Sequence, residues 1–279
     1  MRALNGTILK VEDVSLTLGQ NLILRGVSAE VHDTIGRGQV VGLLGPSGVG
    51  KTQLFRMLSG LQEPTSGRIL IGKDLKPVQV GQVGVVTQDY LLFEHRTVID
   101  NLTLAGRQAG LSATDAKTKA FGFLERFSLT DRANYYPAQL SGGQRQRIAI
   151  AQQLMCSEHF LLMDEPFSGL DLIMLEKVCS MIDEVQKLDE LNTIVVVTHD
   201  VTAAASIADT LWLMGLEYNP DGTPIPGARI LETYDLLDRG FEWRPGISLE
   251  PAFTDFVREV KTRFKQLDPG ILKLNGSVK

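Results

Sequence analysis

Cysteine is nearly missing from this 279-residue chain: Cys156 and Cys179 are the only two. Two residues at that spacing suggest neither a disulfide scaffold nor a zinc site, and a reducing compartment fits best. Long apolar runs are missing as well. No window approaches the roughly 20 residues that cross a bilayer, and runs such as TIVVVT and LWLM have the length of core strands. The opening MRALNGTILKVEDV lacks a basic-then-apolar signal pattern. A membrane role therefore requires another chain to supply the span. Positive charge is not in excess either, since 28 Lys plus Arg stand against 33 Asp plus Glu for a net charge of −5. Nucleic-acid binders usually show a basic stripe, so this balance argues against one. Internal repeats, low-complexity tracts and heptad runs are also absent.

What is present is enough apolar material, 43%, for one large domain or two modest ones. Residues 7–31 read as strands separated by a turn at Gly19, Gln20 and Asn21. A buried strand VVGLL (40–44) enters a glycine-rich loop, and TQLFRMLSG reads as the helix leaving it. Strand patterns recur at RILI, VGVVT, FLLM and TIVVV, with helical periodicity between them and over roughly 90–157. This alternation predicts an α/β fold with a mostly parallel, covered sheet and an inserted helical subdomain. Beyond Trp212 comes a hairpin-like segment with the loop NPDGTPIPG. The tail PAFTDFVREVKTRFKQL is amphipathic, with Phe253, Phe256, Val257, Val260, Phe264 and Leu267 on one face. That face packs on the parent domain or contacts another subunit. The expected division is one α/β domain over 1–240 and a C-terminal helical extension over 241–279.

GPSGVGKT (45–52) fits G-x-x-x-x-G-K-[ST] without a mismatch, after a strand and before a helix. Gly45, Pro46, Ser47, Gly48, Val49 and Gly50 form the loop, whose glycines let backbone N–H groups turn toward phosphate oxygens. Lys51 reaches the β and γ phosphates, Thr52 offers a hydroxyl to Mg²⁺, and Gln53 follows in the first helical turn. In LLMDEP (161–166), two carboxylates end an apolar strand, which is costly unless they serve a cation or water. Asp164 is expected to hold Mg²⁺ through water. Strand alternation points Glu165 elsewhere, toward the attacking water; the bland alternative is a turn cap. Gln88 has an amide able to touch both Mg²⁺ and water, and His199 can donate to a γ-phosphate. A further helix opens on glycines in LSGGQRQR, although Gly costs about 1 kcal/mol against Ala inside a helix. Such an opening suits an anion that must approach the backbone closely.

In this order (GPSGVGKT, Gln88, LSGGQ, LLMDEP, SGLD at 168–171, His199) the chain resembles the nucleotide-binding subunit of an ATP-binding cassette (ABC) transporter over roughly residues 8–235. The resemblance implies a phosphate-loop core with an antiparallel N-terminal β subdomain. It implies two cassettes, this chain with itself or with a paralogue, closing head to tail on ATP and Mg²⁺. Ser141, Gly142, Gly143 and Gln144 of one chain would close the nucleotide held by the other, and Asp171 would report across that interface. It further implies a membrane permease docked on the helical block around LLFEHRTVIDNL, with a solute-binding protein as a possible third component. The expected location is the cytoplasmic face of the membrane. YPAQLSGGQRQR resembles importers of small polar solutes, and FSGLD with RGFEWRP is similar to the nitrate, sulfonate and taurine group. Exporters and lipid-handling systems also use single cassettes, and soluble cassette proteins or non-hydrolysing modules are the remaining alternatives. The chain departs from the family at SLTLGQ, where Leu18 stands in the aromatic adenine-stacking place. That implies affinity carried mostly by the phosphates. HDTIGRG (32–38) is a few residues longer than the usual approach to the phosphate strand, and Gln152 replaces a frequent Arg.

Overall fold

The structure, a computed structural model, describes residues 4–34, 36–157, 159–170 and 172–267. Two long strands, β1 (Leu4–Leu18) and β2 (Asn21–Thr34), reverse at Gly19 and Gln20. β3 (Gln39–Leu44) then leads through the glycine-rich loop into α1 (Lys51–Leu58), followed by β4 (Ser66–Ile71), β5 (Lys76–Pro77) and β6 (Val83–Val86). A helical block comes next: α2 (Val98–Gln108), α3 (Ala113–Arg126) and α4 (Gly142–Cys156). Alternation resumes with β7 (Phe160–Asp164), α5 (Leu172–Gln186), β8 (Thr193–Thr198), α6 (Val201–Ile207), β9 (Thr210–Gly215), β10 (Arg229–Asp235) and α7 (Pro251–Gln266).

The strands form two sheets, ordered β2-β1-β4-β5 and β10-β9-β3-β8-β7-β6. The first is antiparallel; the second is parallel except for the β9–β10 hairpin. This is the α/β architecture expected from the alternating pattern, with the antiparallel layer and helical insertion where the motifs put them. β3 and β8 are buried throughout because the parallel sheet is covered on both faces. Strand alternation divides their side chains between two cores. Val41, Leu43, Val195 and Val197 face the cluster that includes β1, β2 and α1. Val40, Leu44, Ile194 and Val196 face the cluster that includes the helices from α2 to α7.

Local chemistry sets the helix starts. Thr97, Ser112 and Asp200 accept hydrogen bonds from first-turn N–H groups of α2, α3 and α6. The long HDTIGRG approach has a structural role. Arg37 donates to Asp209 (3.0 Å) and Glu242 (2.5 Å), while Asp209 accepts from Val40 N (2.8 Å) and Gln186 Nε2 (3.0 Å). The nearly buried Asp209 carboxylate thereby ties the entry to β3 to α5, and Arg37 ties it to the segment before α7. Gln152, another of the three departures, is buried within α4.

The amphipathic face of α7 lies against α6, with Phe253, Phe256, Val257 and Val260 buried in the shared core. Phe241 contacts Phe253 and Phe256 with ring centroids 5.5 and 5.3 Å apart. Phe253→Ala is expected to lower the unfolding free energy by about 3–5 kcal/mol, the usual cost of emptying a buried aromatic site. Urea denaturation checks this; a loss below about 1 kcal/mol would mean that α7 is not part of the cooperative core.

Candidate functional site

Parallel register brings separate motifs to one edge of the sheet. Leu44 at the end of β3 pairs with Thr198, Val197 with Asp164, and Met163 with Val86. The segments leaving β3, β8, β7 and β6 therefore emerge side by side at the carboxyl edge, where open α/β sheets bind ligands. They carry the loop 45–50, His199, Glu165 and Gln88 respectively.

The loop is built around glycine. Gly50 caps α1 with φ of 102°, and a Cβ there would lie 2.9 Å from Leu24 Cδ2. A Cβ on Gly45 would come within 2.7 Å of the Met214 carbonyl. No side chain caps α1, unlike α2, α3, α4 and α6. Its first N–H groups and the positive end of its dipole are thus available to an anion. Lys51 Nζ folds over the loop and donates to the carbonyls of Gly45 (2.6 Å) and Pro46 (3.0 Å). Burial pushes the Lys51 ammonium below its ordinary pKa, and the charges of Glu165 and Asp164 oppose that shift. Burial and then Glu165 push the Asp164 carboxyl up, while Lys51 pulls it back. These three groups therefore share one electrostatic neighbourhood.

Glu165 sits just beyond β7 with φ of 48°, in the left-handed region that non-glycine residues seldom adopt. This turn, rather than strand alternation, sets the direction of its side chain. Its N–H donates to Val197 O (2.8 Å). Its Oε2 accepts from Thr198 Oγ1 (2.8 Å), and its Oε1 is 2.8 Å from His199 Nδ1. Such strain persists only where surrounding contacts over-determine the conformation.

Thr52 and Gln88 are exposed, at the start of α1 and just past β6. Ser141 caps α4 in a reciprocal box: its Oγ accepts from Gln144 N (3.3 Å) and Gln144 Oε1 accepts from its N–H (3.0 Å). Among the described residues no hydrogen bond joins 141–144 to 45–53, and a Cβ on Gly143 would meet Met174 instead. Asp171 lies outside the described residues. Leu18 ends β1 with 43% of its surface exposed. Two residues escaped the sequence reading. Thr198, hidden in an apolar run, contacts Glu165. Asn101, fully buried, accepts from Phe93 N (2.8 Å) and donates to the carbonyls of Phe93, Arg96 and Thr97, stapling the loop before α2. A lone Asn in an otherwise amphipathic helix was the available signal.

A protein-family model described as "ABC transporter" matches residues 29–168. The chain is 42% identical over 191 residues to the Fe(3+) ions import ATP-binding protein FbpC of Rhizobium etli, covering 67% of this chain and 54% of that protein. It is 37% identical over 212 residues to the sulfate/thiosulfate import ATP-binding protein CysA 2 of Rhizobium meliloti, covering 74% and 56%. With the spermidine/putrescine import ATP-binding protein PotA of Thermobifida fusca it shares 37% identity over 229 residues, covering 81% and 59%. The chain thus spans somewhat more than half the length of these relatives. A solved structure, cbiO1 from Clostridium perfringens, described as part of the ABC transporter complex cbiONQ, matches with a TM-score of 0.72 at 25% identity. That match covers 98% of this chain and 100% of that one.

Gly50→Ala is expected to destabilise the fold by about 1–3 kcal/mol, because the new methyl meets both a left-handed backbone and Leu24. Thermal unfolding tests this, and an unchanged midpoint would show that the loop accommodates a side chain.

Proposed function

This chain belongs to the ABC transporter family, and from that premise we propose that it is the ATP-hydrolysing subunit driving a separate membrane permease. The carrying observation is the uncapped start of α1, with Lys51 in electrostatic reach of Asp164 and of a Glu165 held by His199. That combination suits a triphosphate whose terminal group is attacked by water.

In this reading residues 45–53 wrap the phosphates and Lys51 neutralises their charge. Glu165 orients and polarises the attacking water, while His199 donates to the γ-phosphate. Mg²⁺ fits the donor set, since Thr52, Asp164 and Gln88 offer the oxygen ligands that a hard cation prefers. Among the described residues no cluster of His, Cys, Asp or Glu forms a dedicated cage; Mg²⁺ needs none, because it retains waters and uses phosphate oxygens. When bound, the ion neutralises charge on the β and γ phosphates.

Among the described residues Ser141, Gly142, Gly143 and Gln144 make no hydrogen bond to their own chain's loop, which supports their closing the nucleotide of a second cassette. Asp171 would take part in that contact. ATP then joins two chains and hydrolysis loosens them. Shifting such an equilibrium from 1:99 to 99:1 takes roughly 5.5 kcal/mol of differential binding. Gln88, at the entry to the helical block, links the site to the surface on which the permease would dock. The cargo is a small polar or anionic solute. The three relatives are named for import, which favours import over export. A solute-binding protein would deliver the cargo, and nucleic acid is not a partner. Among the described residues no helix is long and apolar enough to cross a membrane, so the permease would hold this chain at the cytoplasmic face.

Hydrolysis by the isolated chain is expected to rise more than linearly with protein concentration, because a complete site needs two chains. Full turnover by a strictly monomeric preparation would sink this reading. Glu165→Gln is expected to bind ATP and dimerise while kcat falls by about a hundredfold or more. Normal turnover in that variant would remove Glu165 from the mechanism.

A further inference from the structure

Thr198 ends an apolar strand and is wholly buried, 0% exposed. A buried hydroxyl has to find partners locally. Its oxygen accepts from Asp200 N at 3.1 Å, and its single proton goes to Glu165 Oε2 at 2.8 Å. Asp200 is itself fixed, because its Oδ1 accepts from Thr202 N (2.9 Å) and Ala203 N (3.0 Å) as the cap of α6. An ordered chain of hydrogen bonds therefore runs from the start of α6 through Thr198 to one oxygen of Glu165. The backbone of Glu165 is held by the same strand, through its N–H to Val197 O.

We propose that Thr198 is a positioning residue for the ATPase reaction. By holding Oε2, it turns Oε1 of Glu165 toward His199 and the attacking water. A long carboxylate side chain beyond a strand end otherwise has several rotamers, and most of them leave Oε1 pointing elsewhere. Orientation of this kind contributes to the chemical step rather than to nucleotide binding. The inference rests on Glu165 acting on the water, as proposed above. A merely structural Thr198, satisfying only the Asp200 N–H, would affect stability and leave turnover per folded chain unchanged.

The test compares Thr198→Val, Thr198→Ala, Thr198→Ser and Glu165→Gln in the full chain. Each is assayed with Mg-ATP at protein concentrations where turnover per chain has levelled off, with ATP affinity and melting temperature measured alongside. The two variants without a hydroxyl are expected to lose kcat by about tenfold, the scale of one charge-assisted hydrogen bond. KM and ATP affinity stay within about twofold of the parent, and Thr198→Ser recovers most of kcat. If Glu165→Gln is inactive while Thr198→Val or Thr198→Ala turns over at the parent rate, Thr198 does not position Glu165. A Thr198→Ser variant as slow as Thr198→Val would assign the effect to the lost methyl group and also overturn the proposal. Should Glu165→Gln itself hydrolyse ATP normally, the role of Glu165 fails first and this inference falls with it.

Discussion

In-register pairing of β3, β8, β7 and β6 is the constraint on which the site depends. Parallel strands joined by helical crossovers all end at the same edge. Whatever follows each strand is therefore delivered to one line about five ångströms from its neighbour, the usual strand spacing. Burial on both faces locks that register, because a slip of one residue would exchange the side chains of the two cores. The chemistry-bearing residues need no long-range design of their own once the sheet is set.

Electrostatics at that edge are arranged in advance. Lys51 is satisfied by loop carbonyls, and two adjacent carboxylates act on it through their charge, one of them pushed up by burial and by the other's charge. Glu165 adopts a left-handed backbone that costs on the order of 1–3 kcal/mol, offset by three hydrogen bonds from one strand end and its following residue. Such a carboxylate is oriented by its own fold, the preorganisation that the role proposed for it calls for.

The helical block and α7 are attached to this frame in different ways. α4 starts on glycines, and its capped end makes no hydrogen bond to the phosphate loop among the described residues, although a helix start so rich in glycine is poor in local propensity. α7 instead closes the helical side of the core. Its aromatic residues interlock with Phe241 and Tyr234, and it packs on α6, whose first turn carries the Asp200 cap next to His199. The packing of α7 is thereby continuous with the helix that starts at the site.

Periodicity, turn residues and motif spacing by themselves determined the strands, the glycine loop, the inserted helices and the buried face of α7. Each of those signals is local, lying within one element or its ends. The same local signals put forward Lys51, Asp164 and Glu165 as candidates, while His199 became one only through the order of all the motifs. Tertiary structure alone decided the direction of Glu165 and the use of Thr198, because their hydrogen-bonded partners lie 33 and 34 positions apart in the chain. It also decided that Arg37 and Asp209 secure the approach to β3. Contacts of that separation exist only after the sheet has paired, and no spacing rule along the chain encodes them.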